Sequence, residues 1–271
     1  MTINITQYIT FFRMRFTHSL QYRAAALAGI VTQFAWGGLE VMAYTAFYRA
    51  APENFPMGME ALASYIWLRQ AMLALFMTWF FENEIFDTIT KGTIAYEMVR
   101  PIGIYAMWFT RSMAVRLSKA VLRCMPILLV AVFLPEPYGM SLPVSLHAGV
   151  WFLISSVLGF LVTVAFGMLI YISAFYTTST LGVRVVMSTL ADFLSGSLIP
   201  LPFLPDGFRM IAELLPFASM LNVPFRIYGG DIAGQELYAR VGLQLFWAVT
   251  LIAAGVLWMK KALKRVVVLG G

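Results

Sequence analysis

The sequence predicts an all-α integral membrane protein, and three observations carry that prediction. Of its 271 residues 61% are hydrophobic, only 12% are charged, and six separate stretches stay apolar over the length of a bilayer crossing. Soluble domains are typically about half apolar and a quarter charged, so this composition excludes an ordinary globular enzyme, a disordered tail and a DNA-binding domain. The aromatic share of 15%, with 7 Trp, suits interfacial belts. A single cysteine, Cys124, excludes an intrachain disulfide and a thiolate cluster, and with only His18 and His147 as imidazoles no metal site is expected.

The first element is an interfacial helix within residues 1–23. Ile5, Ile9, Phe12 and Phe16 recur at the spacing of one helical stripe, while Asn4, Gln7, Arg13 and Arg15 lie largely elsewhere. Because Arg13 and Arg15 follow the apolar residues, the segment does not read as a signal peptide.

Six spans follow, over 24–48, 61–81, 104–134, 148–176, 181–200 and 241–259. The fourth and sixth contain no charge; the third carries four basic residues. Six crossings put both termini on one side. Eleven basic residues flank that side, namely Arg13, Arg15, Arg23, Lys91, Arg100, Arg111, Arg184, Lys260, Lys261, Lys264 and Arg265, against Arg49, Arg209, Arg226 and Arg240 on the other. The positive-inside rule therefore makes the termini cytoplasmic. The net charge of +6 is mainly a topology signal and not a sign of nucleic acid.

Residues 82–101 form the longest cytoplasmic stretch between spans and mix both charge signs with a regular apolar set. Ile85 and Ile89 share a helix face, Gly92 supplies a left-handed helix end, and Pro101 punctuates before the third span. A short helix of this kind wants a partner groove, or else lies on the lipid as a connector. Between the fifth and sixth spans, residues 195–234 are too apolar for a free loop and too broken for a span. Pro200, Pro202 and Pro205 remove backbone donors, and Pro216 precedes Phe217. Short re-entrant helices are expected over 201–238, acting as an outer gate or as a structural plug.

Ionisable groups inside spans cost roughly 2.5–3.5 kcal/mol each at a helix centre unless paired or hydrated. Arg116, Lys119 and Arg123 share one face of the third span, and Pro126 frees the carbonyl of Leu122 and favours a kink. That stripe either lines a conduit for an anionic substrate or pairs with Glu40, Glu82, Glu84 or Asp192. Arg69 and Asp192 form a second candidate pair. Small residues at Gly37-Gly38 and at Ser155 and Gly159 suit close helix packing.

Together these features resemble an ABC-2-type permease, the transmembrane subunit of an ATP-binding-cassette exporter. The resemblance rests on the amino-terminal elbow, on Gly92-Thr93-Ile94 to Val99-Arg100-Pro101, and on the Ser195-Gly196 to Pro205 break followed by Leu215-Pro216-Phe217. It extends to the tail Leu263-Lys264-Arg265-Val266-Val267-Val268-Leu269-Gly270-Gly271. The resemblance implies one permease domain over 1–271 with no nucleotide-binding domain. It further implies that 82–101 hold a coupling helix, its contacts drawn from Ile85, Phe86, Asp87, Ile89, Lys91, Gly92, Glu97, Arg100 and Pro101. The expected partners are two copies of a soluble ABC ATPase carrying ATP and Mg, a second permease chain, identical or paralogous, and the lipids of a bacterial inner membrane. The chain has no Gly-x-x-x-x-Gly-Lys loop of its own, since Lys91 precedes Gly92, so ATP hydrolysis is expected in the partner. A secondary transporter or channel would show clearer internal repeats. An intramembrane enzyme would have to bring His147 to Ser197.

Overall fold

The computed structural model of the chain describes residues 5–21, 23–100, 102–177 and 179–266, with side chains for all of these except 23–25. The described residues hold twelve α-helices and two short 3-10 turns joined by irregular segments, with no strand among them. Among the described residues three helices are long and apolar enough to cross a membrane: α2 (Arg23–Ala50), whose apolar part is Ala26–Ala50, α8 (Leu146–Ser173) and α12 (Gly234–Leu263). Helix α7 (Ile104–Phe133) has the length but carries Arg111, Arg116, Lys119 and Arg123, and it runs unbroken through Pro126.

The bundle is organised around α3 (Met59–Ala71) and α8. Helix α3 is buried along nearly its whole length by α2, α7 and α11 (Asn222–Tyr228), its polar Ser64, Arg69 and Gln70 included. Gly37 of α2 receives the Trp67 ring, which a Cβ there would meet at 2.8 Å. Helix α8 pairs with α12 through a buried knot. Gln244 donates to the carbonyls of Ser155 and Ser219 at 3.2 and 2.9 Å, and accepts from Ser155 Oγ at 2.8 Å. The small residues of α8 admit a turn here and not another helix. A Cβ on Gly159 would lie 2.0 Å from the Met220 carbonyl oxygen.

Two predicted spans take a different form. The window 61–81 is not one helix: α3 ends at Met72, α4 (Leu73–Phe76) adds a single turn, and residues 77–82 leave helical geometry. The physical reason is Arg116. It is 2% exposed, and its guanidinium donates to the carbonyls of Leu75, Met77 and Phe80 at 3.2, 2.7 and 3.1 Å. Thr78 turns the other way and donates to Asp192 Oδ1 at 2.6 Å. Carbonyls freed from a helix inside an apolar bundle need donors, and one side chain supplies them. The window 181–200 shortens to α9 (Thr180–Leu194), after which Gly196, at φ +81°, turns the chain.

The amino-terminal helix α1 (Ile5–Ser19) buries no residue completely and rests on α7 through Phe11 and Tyr8. Ile5 and Ile9 of the predicted apolar stripe are exposed, while Phe12 and Phe16 are half-buried. Pro101 and the tail beyond Val266 lie outside the described residues.

Replacing Arg116 with Met should lower unfolding stability in detergent by about 3 kcal/mol, because buried carbonyls left without a donor cost about 1–3 kcal/mol each. Arg116→Lys should recover part of that loss by satisfying fewer of the three. Thermal unfolding of the two variants beside the unaltered chain checks the order.

Candidate functional site: a charged segment at one end of the bundle

Leaving the Arg116 clamp, the chain reaches Phe81 and Glu82, where the backbone N–H of Glu82 donates to Tyr171 Oη of α8 at 2.8 Å. Helix α5 (Asn83–Thr90) begins there, with Glu84 in its first turn, a favourable place for a negative charge. Its amphipathic pattern is strong, yet the apolar face is turned inward. Ile85 and Phe86 are 1% and 4% exposed, and the Phe81, Phe86 and Tyr171 rings pack with centroids 5.0–5.9 Å apart. This corrects the sequence expectation of a free Ile85–Ile89 face: Ile89 too is partly buried against the same core. Apolar burial in the chain's own bundle costs less than leaving the face wet, so these residues position the segment and are not its surface.

Polar contacts fix the segment from two sides. Arg111 of α7 forms ion pairs with both Glu82 and Glu84. Arg184 of α9 donates to Asn83 Oδ1 at 3.1 Å and lies over the Phe86 and Phe81 rings at 4.8 and 5.1 Å. Lys91 closes α5, and Gly92 takes φ +71°, where only glycine is free of strain. The chain then reverses into α6 (Ala95–Met98), with the Ile94 N–H donating to the Thr88 carbonyl at 3.0 Å. Glu97 accepts the indole N–H of Trp108 at 2.7 Å.

What remains outward on the segment is of mixed chemistry. Asp87 and Lys91 form an exposed pair at 2.9 Å. Tyr96 is 75% and Val99 83% exposed, with Met98 and Arg100 beside them. The predicted coupling residues therefore divide: Asp87, Lys91, Gly92 and Arg100 face outward, while Ile85, Phe86, Ile89 and Glu97 hold the segment in place. Tyr96, Met98, Trp108 and Tyr171 were not singled out in the sequence, where Val99 stood only within the Val99-Arg100-Pro101 motif and Arg184 counted only as a topology charge.

The other predicted sites are rearranged. Arg69 pairs with Glu40 and also donates to the Ser197 carbonyl, so the expected Arg69–Asp192 pair is replaced. Asp192 serves Thr78 instead. Among the described residues, neither Glu40, Glu82, Glu84 nor Asp192 pairs with the Arg116–Lys119–Arg123 stripe; each is closer to another donor. His147 accepts the Trp151 indole N–H at 3.0 Å and makes no hydrogen bond to Ser197 among the described residues.

At the opposite end of the bundle, α10 (Asp206–Leu214) and the wholly buried α11 fill the predicted re-entrant region. Arg226 pairs with Glu213 and Asp231, and Arg240 with Glu213 and Glu236, tying α10, α11 and α12 together. Pro200 and Pro202 are buried around the 3-10 turn Leu201–Phe203, and Phe203 packs against Tyr44 and Phe55 at 5.4 and 5.3 Å. Pro205 is the exposed residue that precedes α10. Pro216 is half-buried, and Phe217 meets Phe166 at 5.3 Å.

Arg111 holds the Glu84 carboxyl below its ordinary value near 4.5 by hydrogen bonding and by charge. A depressed carboxyl contributes stability above its unfolded value and loses it as the pH falls through the folded one. Hydrogen exchange of residues 83–98, corrected for intrinsic chemistry, should therefore be level from about pH 8 to about 6, with protection declining below about 4.5. Arg111→Met should speed that exchange about tenfold at neutral pH, since charge-assisted hydrogen bonds are worth about 1.5–3 kcal/mol.

No curated protein matches the chain. The family model described as ABC-2 family transporter protein matches residues 34–270, which takes in the Arg116 clamp, the charged segment and the helices at the opposite end. With that match covering most of an all-helical chain that contains three membrane-length apolar helices, the chain belongs to the ABC-2 family of transporter proteins, the membrane permease components of ATP-binding-cassette transporters.

Proposed function

We propose that this chain is the permease subunit of an ATP-driven exporter, moving an amphipathic, hydrophobic or lipid-like substrate out of the cytoplasm by alternating access. It works as one half of a transmembrane dimer above two soluble ATPase subunits, which bind the ATP and Mg. The single observation that carries this reading is the patch at Asp87, Lys91, Tyr96, Val99 and Arg100. Exposed apolar and charged side chains stand together on a segment whose own apolar face is already buried. An interface core rimmed by charge is what a docking partner needs.

In this reading the topology is six crossings with cytoplasmic termini: α2, α3 with α4, α7, α8, α9 and α12. The segment 82–101 then lies under the membrane and α10 and α11 on the far side, as the distribution of basic residues supports. Movement of the ATPase subunits reaches the spans through two rigid connections. Glu82 and Glu84 on Arg111 pull on α7, and the Phe81–Phe86–Tyr171 cluster pulls on α8. The short helices tied by Arg226 and Arg240 open the far end for release. Coupling is stiff because the linkage is packed and ion-paired.

Asp87→Arg and Val99→Asp should each abolish co-purification with the ATPase and its permease-stimulated ATP hydrolysis. Both side chains are exposed, so the unfolding midpoint of the permease should stay where it is. Retention of the complex by both variants, or transport by the chain without nucleotide, would overturn this reading.

A further inference from the structure

A crevice of about 380 Å³ lies between α1, the first turns of α2 and the middle of α7. Its volume falls in the range of about 300–1,000 Å³ that holds bound ligands of drug size. Arg15, Arg111, Lys119 and Arg123 line it together with Glu82 and Glu84. Both carboxylates pair with Arg111, and Glu82 Oε1 is buried with no hydrogen-bond partner; four cations against two carboxylates leave the surplus positive. The Arg15 guanidinium lies 5.5 Å from the Phe11 ring centroid, and its Nε is buried with no hydrogen-bond acceptor. Burial, and after it the like charge of Arg111, weakens the hold of Arg15 on its proton, and the charges of Glu82, Glu84 and Glu97 oppose them only in part.

Lys119 makes the demand for an anion sharper. Its Nζ sits 3.4 Å from the centroid of the Phe80 ring, and no carboxylate among the described residues lies within ion-pair distance of it. It stands eight residues, about 12 Å, beyond Arg111 along α7. The cations therefore mark a path leading inward from the interface and not a surface patch. An aromatic face offsets only about 2 kcal/mol of an ammonium's desolvation, and a charge at this depth requires a partner or water. The guanidinium of Arg123 packs over Gly29 of α2, where any side chain would intrude. Ala26, Val115 and Leu122 supply an apolar wall beside the charges. The exposed Ile5 and Ile9 on α1 mark the lipid-facing side of the same helix that contributes Arg15.

We infer that this crevice binds the phosphate headgroup of an anionic phospholipid from the leaflet on which α1 lies, with its acyl chains along the apolar wall. Arg15 and Lys119 grip the phosphate from the two sides of the crevice. A bound lipid joins α1 to α7 next to Arg111, the residue that holds the charged segment, and so stiffens the coupling end. The inference rests on reading α7 as a span and α1 as interfacial, and it requires no ATPase.

The test uses the full chain in neutral detergent, titrated with phosphatidylglycerol, phosphatidylcholine or inorganic phosphate, and reads the unfolding midpoint and the lipids retained in native mass spectrometry. Phosphatidylglycerol should raise the midpoint and remain bound, whereas phosphatidylcholine and inorganic phosphate should do neither. Arg15→Gln and Lys119→Gln should each weaken phosphatidylglycerol binding about tenfold, and Lys119→Arg should keep it. Equal effects of the two lipids, an equal effect of inorganic phosphate, or undiminished binding by Arg15→Gln would overturn the assignment. Arg15 is on the surface helix, so its variant decides the matter even where Lys119→Gln fails to fold. Because no ATPase is present, a negative result here stays separate from a failure of the transport reading.

Discussion

The structure depends on one guanidinium. Arg116 supplies the donors for the carbonyls of Leu75, Met77 and Phe80 at the place where the chain abandons helix inside an apolar bundle. Backbone polar groups at such a depth must be satisfied within the protein. With these donors residues 77–82 leave helical geometry, and Phe81 and Glu82 reach Tyr171 and Arg111. The placement of α5, of the reversal at Gly92 and of the exposed patch on α6 all follow from that diversion.

Other cations in the bundle are accommodated by different means, and the differences sort structure from function. Arg69 is neutralised by Glu40 and finishes its hydrogen bonding on a loop carbonyl. Arg226 and Arg240 share Glu213 and take one further carboxylate each, which closes a network across three helices. Each arrangement is complete in itself, as a buried charge has to be for the fold to tolerate it. Arg15 and Lys119 have aromatic faces and a crevice instead. That contrast, between charges whose partners are built in and charges facing an open volume, separates the fixed ends of the bundle from the place where another molecule fits.

Much of the outline was legible from the sequence, because long apolar runs and their periodicity depend only on local order. The predicted spans at 24–48, 148–176 and 241–259 appear as the membrane-length apolar helices α2, α8 and α12 with ends shifted by up to seven residues, the window 104–134 is one long helix, α7, and a helix covers Ile5–Ser19. Gly92 takes the left-handed conformation that its position implied. The candidate site was legible as a segment but not as a surface. Periodicity identifies the Ile85–Ile89 face without saying whether the chain itself or a partner covers it, and here the chain's own core covers it. Trp108 and Arg184 carry no local signal at all, since their partners are 11 and 101 residues away.

By itself, the sequence determined the class of architecture: 61% apolar against 12% charged, with long apolar runs of helical length, points to a helical membrane protein. Only the tertiary structure decided which charges meet. Glu82 and Glu84 were candidates for the Arg116–Lys119–Arg123 stripe and went to Arg111, Asp192 went to Thr78, and Arg116 took backbone carbonyls instead of a carboxylate. The physical reason is that helix periodicity fixes the face on which a side chain stands, whereas its partner is set by how helices distant in sequence pack. In a low-dielectric interior, differences of an ångström or two between competing partners are worth kilocalories.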